Sequence, residues 1–159
     1  MKHLPKHIRP RWRYLAVEID APIDASFDRG DFQRELWYSA GNLLGDPGSA
    51  DADLTVYMFS LTDGRGEAIV RTRRGETGPA RAAIACVHAI DDTPVGVRVR
   101  GISGTVRACE ERYLGRATGA IYENEVAFGG DRRHADCRSD ELAIHLPTAT
   151  VCATQLDIE

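Results

Sequence analysis

Between about Arg13 and Asp20 the chain alternates strictly, with Leu15, Val17 and Ile19 on one side and Trp12, Tyr14 and Ala16 on the other. A period of two predicts a first strand, which Ala21-Pro22-Ile23-Asp24 ends. The period then lengthens. Phe32, Leu36, Ala40, Leu43 and Leu44 recur at helical spacing and predict a helix over 28–44, with Asp28 and Asp31 complementing the dipole at its start. Gly45-Asp46-Pro47-Gly48 reads as its stop, and 49–53 as a polar loop. Two further runs, 54–61 and 67–74, read as a hairpin joined through the Asp63-Gly64 turn signal. Pro79 marks a second helix, with Ala80, Ala83, Ile84 and Val87 as its apolar stripe and His88 at the helix surface or half-buried beside it. Val95, Val97 and Val99 alternate with Gly96, Arg98 and Arg100 in a fourth strand over 95–102. A third helix follows a Gly/Thr turn, placing Val106, Cys109 and Tyr113 along one face, while Gly115 and Gly119 weaken its end.

The order β-α-β-β-α-β, then α, predicts an α+β sandwich of the ferredoxin-like or RNA-recognition-like kind: an antiparallel sheet with helices packed on it and an additional helix toward the C-terminus. Three parts follow: a basic arm over 1–12, one sandwich domain over 13–122, and an acidic extension over 123–159. Within the extension, 141–146 reads as an added strand and the polar stretch 129–140 as a loop. Trp37 and Tyr38 lie within the first helix and read as core and partner-facing positions rather than base-stacking ones.

A chain of 159 residues is long enough to bury a core without disulfides or metals. No apolar run approaches the length that spans a bilayer, and the N-terminus lacks a secretory hydrophobic region, so a cytoplasmic protein with no membrane partner is expected. Cys86, Cys109, Cys137 and Cys152 are irregularly spaced with no CxxC pair, the pattern of reduced, mostly buried thiols. His134-Ala135-Asp136-Cys137 is a local metal-like cluster but falls short of the four ligands of a structural site, so no metal is assigned.

The net charge of −4 conceals a division along the chain. Residues 1–13 carry Lys2, Lys6, Arg9, Arg11 and Arg13 with no acid, and 65–116 hold ten arginines against six acids. Ten acids against two arginines occupy 14–64, and eight against three occupy 117–159. The basic residues thus concentrate on the arm and one central segment, and patches rather than net charge attract phosphate backbones. Lysine is confined to the arm while aspartate is abundant, a composition like that of proteins adapted to high cytoplasmic salt, as in haloarchaea. High salt weakens phosphate contacts, so partner surfaces and shape must share the work.

The central segment also carries the clearest candidate chemistry. Arg98 to Tyr113 reads as a strand that breaks at Gly101-Ile102-Ser103-Gly104 and enters a helix. Ser103 or Thr105 caps that helix, leaving backbone N–H groups pointing outward beside Arg107. Such a start suits a phosphate, although an ordinary strand-to-helix connection has the same local form.

The run Ser103-Gly104-Thr105-Val106-Arg107-Ala108-Cys109 resembles the Gly-Thr-(Ile/Val)-Arg-x-Cys motif of the ribonuclease P protein component 2 family. Arg9-Pro10-Arg11-Trp12-Arg13-Tyr14-Leu15-Ala16-Val17-Glu18-Ile19 is similar to that family's basic lead-in and first strand. The turn at Asp63-Gly64-Arg65-Gly66 and a strand carrying Arg71 also fit, so the resemblance spans roughly 7–114. It implies the same sandwich fold and a subunit of ribonuclease P, which removes the 5′ leader from precursor tRNA. Catalysis there belongs to the RNA, with Mg2+ ions on the RNA stabilising the displaced oxygens, and this chain is implied to bind no cofactor of its own. Implied partners are the ribonuclease P RNA, protein component 3 and other ribonuclease P proteins, and precursor tRNA indirectly.

The RNA-contact candidates are Arg107 with the backbone at Gly104 and Thr105, and Ser103 beside them. Next come Arg71, Arg73, Arg98 and Arg100 on strands of alternating arginines, and Arg11 and Arg13 on the arm. No nucleophile or general base stands out, and no catalytic residue is assigned. The third strand holds no aromatic, which favours the backbone of structured RNA over single-strand readout. Two other classes share the sandwich. An acylphosphatase-like enzyme would place its cradle after the first strand instead of the fourth, and a small-molecule regulatory module would bind ligand between helices in a side-by-side dimer.

Overall fold

A computed structural model describes residues 3–115, 121–138, 141–154 and 156–158. Strand β1 (Trp12–Asp20) lies at the centre of a four-stranded antiparallel sheet, between β3 (Arg65–Arg73) and β6 (Gly96–Ser103), with β2 (Thr55–Thr62) outside β3. The order β2-β3-β1-β6 is the ferredoxin-like arrangement that the βαββαβ pattern predicts. Helices α1 (Arg29–Ala52) and α2 (Thr77–Ala85) cover one face, where Leu15, Val17 and Ile19 meet Phe32, Leu36, Ala40, Ala80, Ala83 and Ile84. A ribbon of β4 (Ala89–Ile90) and β5 (Thr93–Pro94) turns through Asp91 and Asp92, both at positive φ, before β6.

The first helix departs from its predicted end. Asp28 caps it through a reciprocal capping box with Asp31. At Gly45 (φ 70°, ψ 173°) the axis kinks instead of stopping, and helix resumes through Pro47 to Ala52. Glycine takes the positive φ, and proline is tolerated because it opens the second segment's first turn. Residues 49–52, expected as loop, are therefore helical, and Ala52 is buried in the core.

The opposite face of the sheet has a different cover. Helix α3 (Val106–Tyr113) lays Cys109, Val106 and Tyr113 over Ala16, Ile69, Tyr14 and Met58. Gly101 makes this approach possible, since the Tyr113 ring occupies the space where any β-carbon at 101 would stand. The helix ends at Tyr113, ahead of Gly115; Gly119 lies outside the described residues.

The C-terminal stretch corrects the reading of 129–140 as a loop. Strands β7 (Ile121–Phe128), β8 (Asp131–Arg138), β9 (Glu141–His145) and β10 (Thr150–Thr154) form an antiparallel meander in the order β10-β9-β8-β7. Gly129 and Gly130, both at positive φ, make the β7–β8 turn. The polarity of β8 hides a strand whose inward residues, Ala135 and Cys137, are small. They join Val126, Leu142, Ile144 and Ala153 in a second core. The added strand expected over 141–146 is present as β9. This sheet rests against β6, where the Thr150 carbonyl sits over Gly96 and the Thr150 hydroxyl donates to the Pro94 carbonyl at 3.2 Å.

Candidate nucleic-acid interface

The antiparallel register sets Tyr14 of β1 between Arg71 of β3 and Ser103 of β6. The row continues to Thr55 of β2 on one side and into the start of α3 on the other. Thr105 is the α3 N-cap, its hydroxyl accepting from the Ala108 N–H at 3.2 Å. The Thr105 backbone is extended and Gly104 is exposed. A β-carbon at Gly104 would stand 3.6 Å from the Arg13 guanidinium, which places that cation at the turn. Arg107 is almost fully exposed and pairs with Glu111 one turn on, Nε to Oε1 at 2.8 Å. The Ser103 hydroxyl is buried and has no hydrogen-bond partner among the described residues.

The remaining basic candidates divide into two groups. Arg71 stacks over the Trp12 ring, 4.0 Å from its centroid, and Arg73 lies at the same end of the sheet in an exposed 3.4 Å pair with Asp53. Arg11 is exposed at the lead-in to β1, where its carbonyl accepts from the Arg74 N–H. Arg98 and Arg100 lie elsewhere. They reach across the far end of the same face to Glu18 and to Glu141 of the C-terminal sheet, and Arg98 also pairs with Asp20 at 3.2 Å. Arg65 joins Glu18 from the other side. Burial opposes the charge on Arg98, yet Asp20 and Glu18 raise its pKa; the Glu18 hydrogen bond raises that of Arg100. These two cations are neutralised by carboxylates, so the structure does not bring them to the α3 turn.

Three aromatic residues lie near this turn: Trp12 and Tyr14 fall in the lead-in run that resembles the family, while Tyr57 belongs to no motif. Trp12, Tyr14 and Tyr57 gather at the Arg71 end, with Tyr14 and Tyr57 edge to face at 6.2 Å. Tyr57 sits in a register shift between Val56 and Met58, a bulge that sequence alternation does not reveal. Trp37 and Tyr38 are both exposed on α1, away from this face, and Trp37 donates to the Leu54 carbonyl at 3.0 Å. Tyr38 lines an open groove of about 450 Å3 with Glu35, Leu43, Cys86, His88 and Asp92. His88, expected at a helix surface, lies beyond the end of α2 at Ala85, on the exposed stretch that leads into β4. Among the described residues no three His, Cys, Asp or Glu side chains are arranged to hold a metal ion. In the 134–137 cluster, Cys137 turns into the core while Asp136 binds His145 at 2.9 Å. No helix of the described residues is long and apolar enough to cross a membrane.

Fold and site together define a ferredoxin-like sandwich whose fourth core strand delivers a capped, arginine-flanked helix start. The sequence profile of the Rpp14/Pop5 family matches residues 13–114, and the chain belongs to that family. It is 61% identical over 159 residues to Ribonuclease P protein component 2 of Halorubrum lacusprofundi, covering 100% of both chains. The protein of the same name from Haloarcula marismortui is 55% identical with 99% of each chain covered. That from Methanosarcina acetivorans is 31% identical over 140 residues, 88% of this chain and 100% of its own. The composition expected of a halophile thus agrees with the sources of the nearer of these relatives.

Proposed function

We propose that this chain braces the ribonuclease P RNA through the α3 start and the basic end of the sheet, so that the RNA cleaves the 5′ leader of precursor tRNA. The chain serves as a protein subunit of ribonuclease P, in keeping with its family and its full-length relatives. The observation that carries the RNA face is the capped start of α3, with Arg13 beside Gly104 and Arg107 projecting into solvent. Backbone donors and guanidinium groups in that arrangement suit phosphate oxygens. Arg11, Arg71 and Arg73 extend the positive surface, whereas Arg98 and Arg100 serve the contact between the two sheets.

The chain takes no cofactor of its own, and the Mg2+ that the reaction needs acts on the RNA component. Its associates are the ribonuclease P RNA and other protein subunits. We infer that component 3 docks on the α1 surface, because the exposed Tyr38 and Leu43 lie next to Glu35 and Asp92, which repel phosphate and leave a protein as the fitting partner. The cytoplasm is the expected location.

Precursor-tRNA cleavage by the cognate RNA at limiting Mg2+ tests the reading, with this chain and component 3 added separately and together. Strong cleavage only with both supports it. No effect, in salt where both proteins are folded, overturns it. Arg107→Ala should weaken activation and lower its salt dependence by about one phosphate contact.

A further inference from the structure

The aromatic cluster at the open end of the sheet lies at the margin of the α3 core, which Tyr14 packs against while Tyr57 stands exposed. Large aromatic rings are normally covered; here Tyr57 is 56% exposed although it belongs to a strand of the central sheet. The bulge at 56–58 turns it onto the α3 side, against Tyr14, which packs beneath α3. From β3 the Arg71 guanidinium sits over the Trp12 ring, 4.0 Å from its centroid. Arg13 and Arg73 flank the cluster and the acid-free arm leads into it, Asp53 being the carboxylate paired there. The other exposed aromatic residues, Trp37 and Tyr38, are on α1, where Tyr38 sits beside Glu35 and Asp92. Charge therefore separates the two aromatic surfaces, and the one on β1 and β2 matches a polyanion that also carries flat apolar rings.

We infer that Tyr57, with Tyr14, Trp12 and the Arg71 guanidinium beneath and beside it, is a stacking platform for an unpaired base of RNA whose backbone continues to the α3 start. This rests on the RNA-binding reading above and names the form of RNA that the face takes. A π-face accepts any base, and stacking combined with a cationic track is how single strands are held. The third strand holds no aromatic, and the platform is supplied from the first and second strands instead. Three strand spacings, about 14 Å, separate β2 from β6, so the ligand is a short unpaired segment rather than one nucleotide. Salt supports the same choice. Counterion release makes phosphate contacts weak in concentrated salt, whereas stacking releases no counterions and keeps its strength.

The test uses the full chain and the ribonuclease P RNA, with binding measured over a salt series for wild type, Tyr57→Ala, Tyr57→Leu, Tyr57→Phe and Arg107→Ala. An unstructured oligouridylate serves as a second probe. Tyr57→Ala and Tyr57→Leu should each weaken binding to both RNAs about tenfold with the salt slope unchanged, and Tyr57→Phe should bind like wild type. Tyr57→Leu keeps an apolar side chain on the strand, so a loss shared with alanine reports the ring and not the fold. Base-specific chemical probing should reveal one unpaired nucleotide protected by wild type and exposed with Tyr57→Leu. If both variants bind normally while Arg107→Ala binds weakly with a shallower salt slope, the platform is wrong and the RNA face stands. If neither position affects binding, the RNA face itself is misplaced.

Discussion

Glu18 and Arg98 meet at 2.8 Å on the sheet face that the C-terminal meander covers, directly opposite each other in the β1–β6 register. Glu18 is buried and also receives Arg65 and Arg100, while Arg98 and Arg100 reach on to Glu141 of β9. One carboxylate thus gathers three guanidinium groups, and two of them hold the second sheet to the first.

Acid should loosen this junction. Burial pushes the Glu18 carboxyl up, but the Arg100 hydrogen bond and the charges of Arg98, Arg65 and Arg100 outweigh it and hold the group below its ordinary 4.5. A carboxylate depressed in the folded state contributes its full stability above the unfolded value and loses it as pH falls through the folded one. Denaturant unfolding followed from pH 7 downward should show stability falling below about pH 4.5. Glu18→Gln should be less stable by about 3 kcal/mol at pH 7, because it removes the carboxylate that three partly buried cations share and leaves Asp20 and Glu141 to pair with Arg98 and Arg100, and it should show a shallower decline in acid.

The contact between Gly101 and Tyr113 makes α3 sensitive to a single methyl group. A β-carbon at 101 would enter the Tyr113 ring, so Gly101→Ala must displace the ring or lift the helix. Overpacking of this kind costs about 1–3 kcal/mol. Hydrogen exchange should quicken in 106–113 while β1 and β3 retain their protection. Equal exchange in variant and wild type would mean that the ring moves aside freely.

Thr105→Ala should lower stability by about 1 kcal/mol, since it removes the side-chain acceptor for the Ala108 N–H. Thr105→Ser keeps the hydroxyl and should restore most of the loss. Thermal unfolding of the three proteins distinguishes this cap from a Thr105 that acts only on RNA, in which case stability would not change.

The central sandwich was legible because its strands and helices carry their periods openly: Leu15, Val17 and Ile19 alternate, and Phe32, Leu36 and Ala40 recur every fourth residue. The α3 cap was legible because Thr105 acts locally, but Gly101 lies within β6, where the strand was expected to break, and its absent side chain makes room for Tyr113, a contact that local pattern does not show. What stayed hidden depends on layers that local patterns do not encode. Arg98 and Arg100 alternate off the core face and read as solvent-facing, but a second sheet lands on them. Of that sheet the sequence showed β9 alone; β8 read as a loop because it buries Ala135 and Cys137 rather than large apolar residues. Gly45 and Pro47 mark a helix end whether or not another segment resumes beyond them. Tyr57 was missed because a bulge moves it to the other face.

Thiol labelling offers a direct reading of how firmly these layers hold. Cys109 is fully buried under α3, with its Sγ 3.7 Å from the Tyr14 carbonyl, and burial together with the Glu110 charge pushes its thiol up to about 11. At pH 8 about one thiol in a thousand is then ionised, and the thiolate is the reactive form. Burial also raises Cys137, helped by Asp136. At Cys152 burial raises the thiol more than Arg98 lowers it. Cys86 is exposed and should label first. Mass spectrometry of the native protein with a maleimide should therefore find one fast label, at Cys86, and all four cysteines labelled after denaturation. Lowering the pH to protonate Glu18 before returning to labelling conditions should leave this order unchanged, because the junction reforms. Glu18→Gln, which keeps the Glu141 and Asp20 pairs but loses the central carboxylate, should make Cys152 the second fast site, while Cys109 stays protected by α3. Fast labelling of Cys109 in that variant would mean that the two covers of the sheet open together rather than independently.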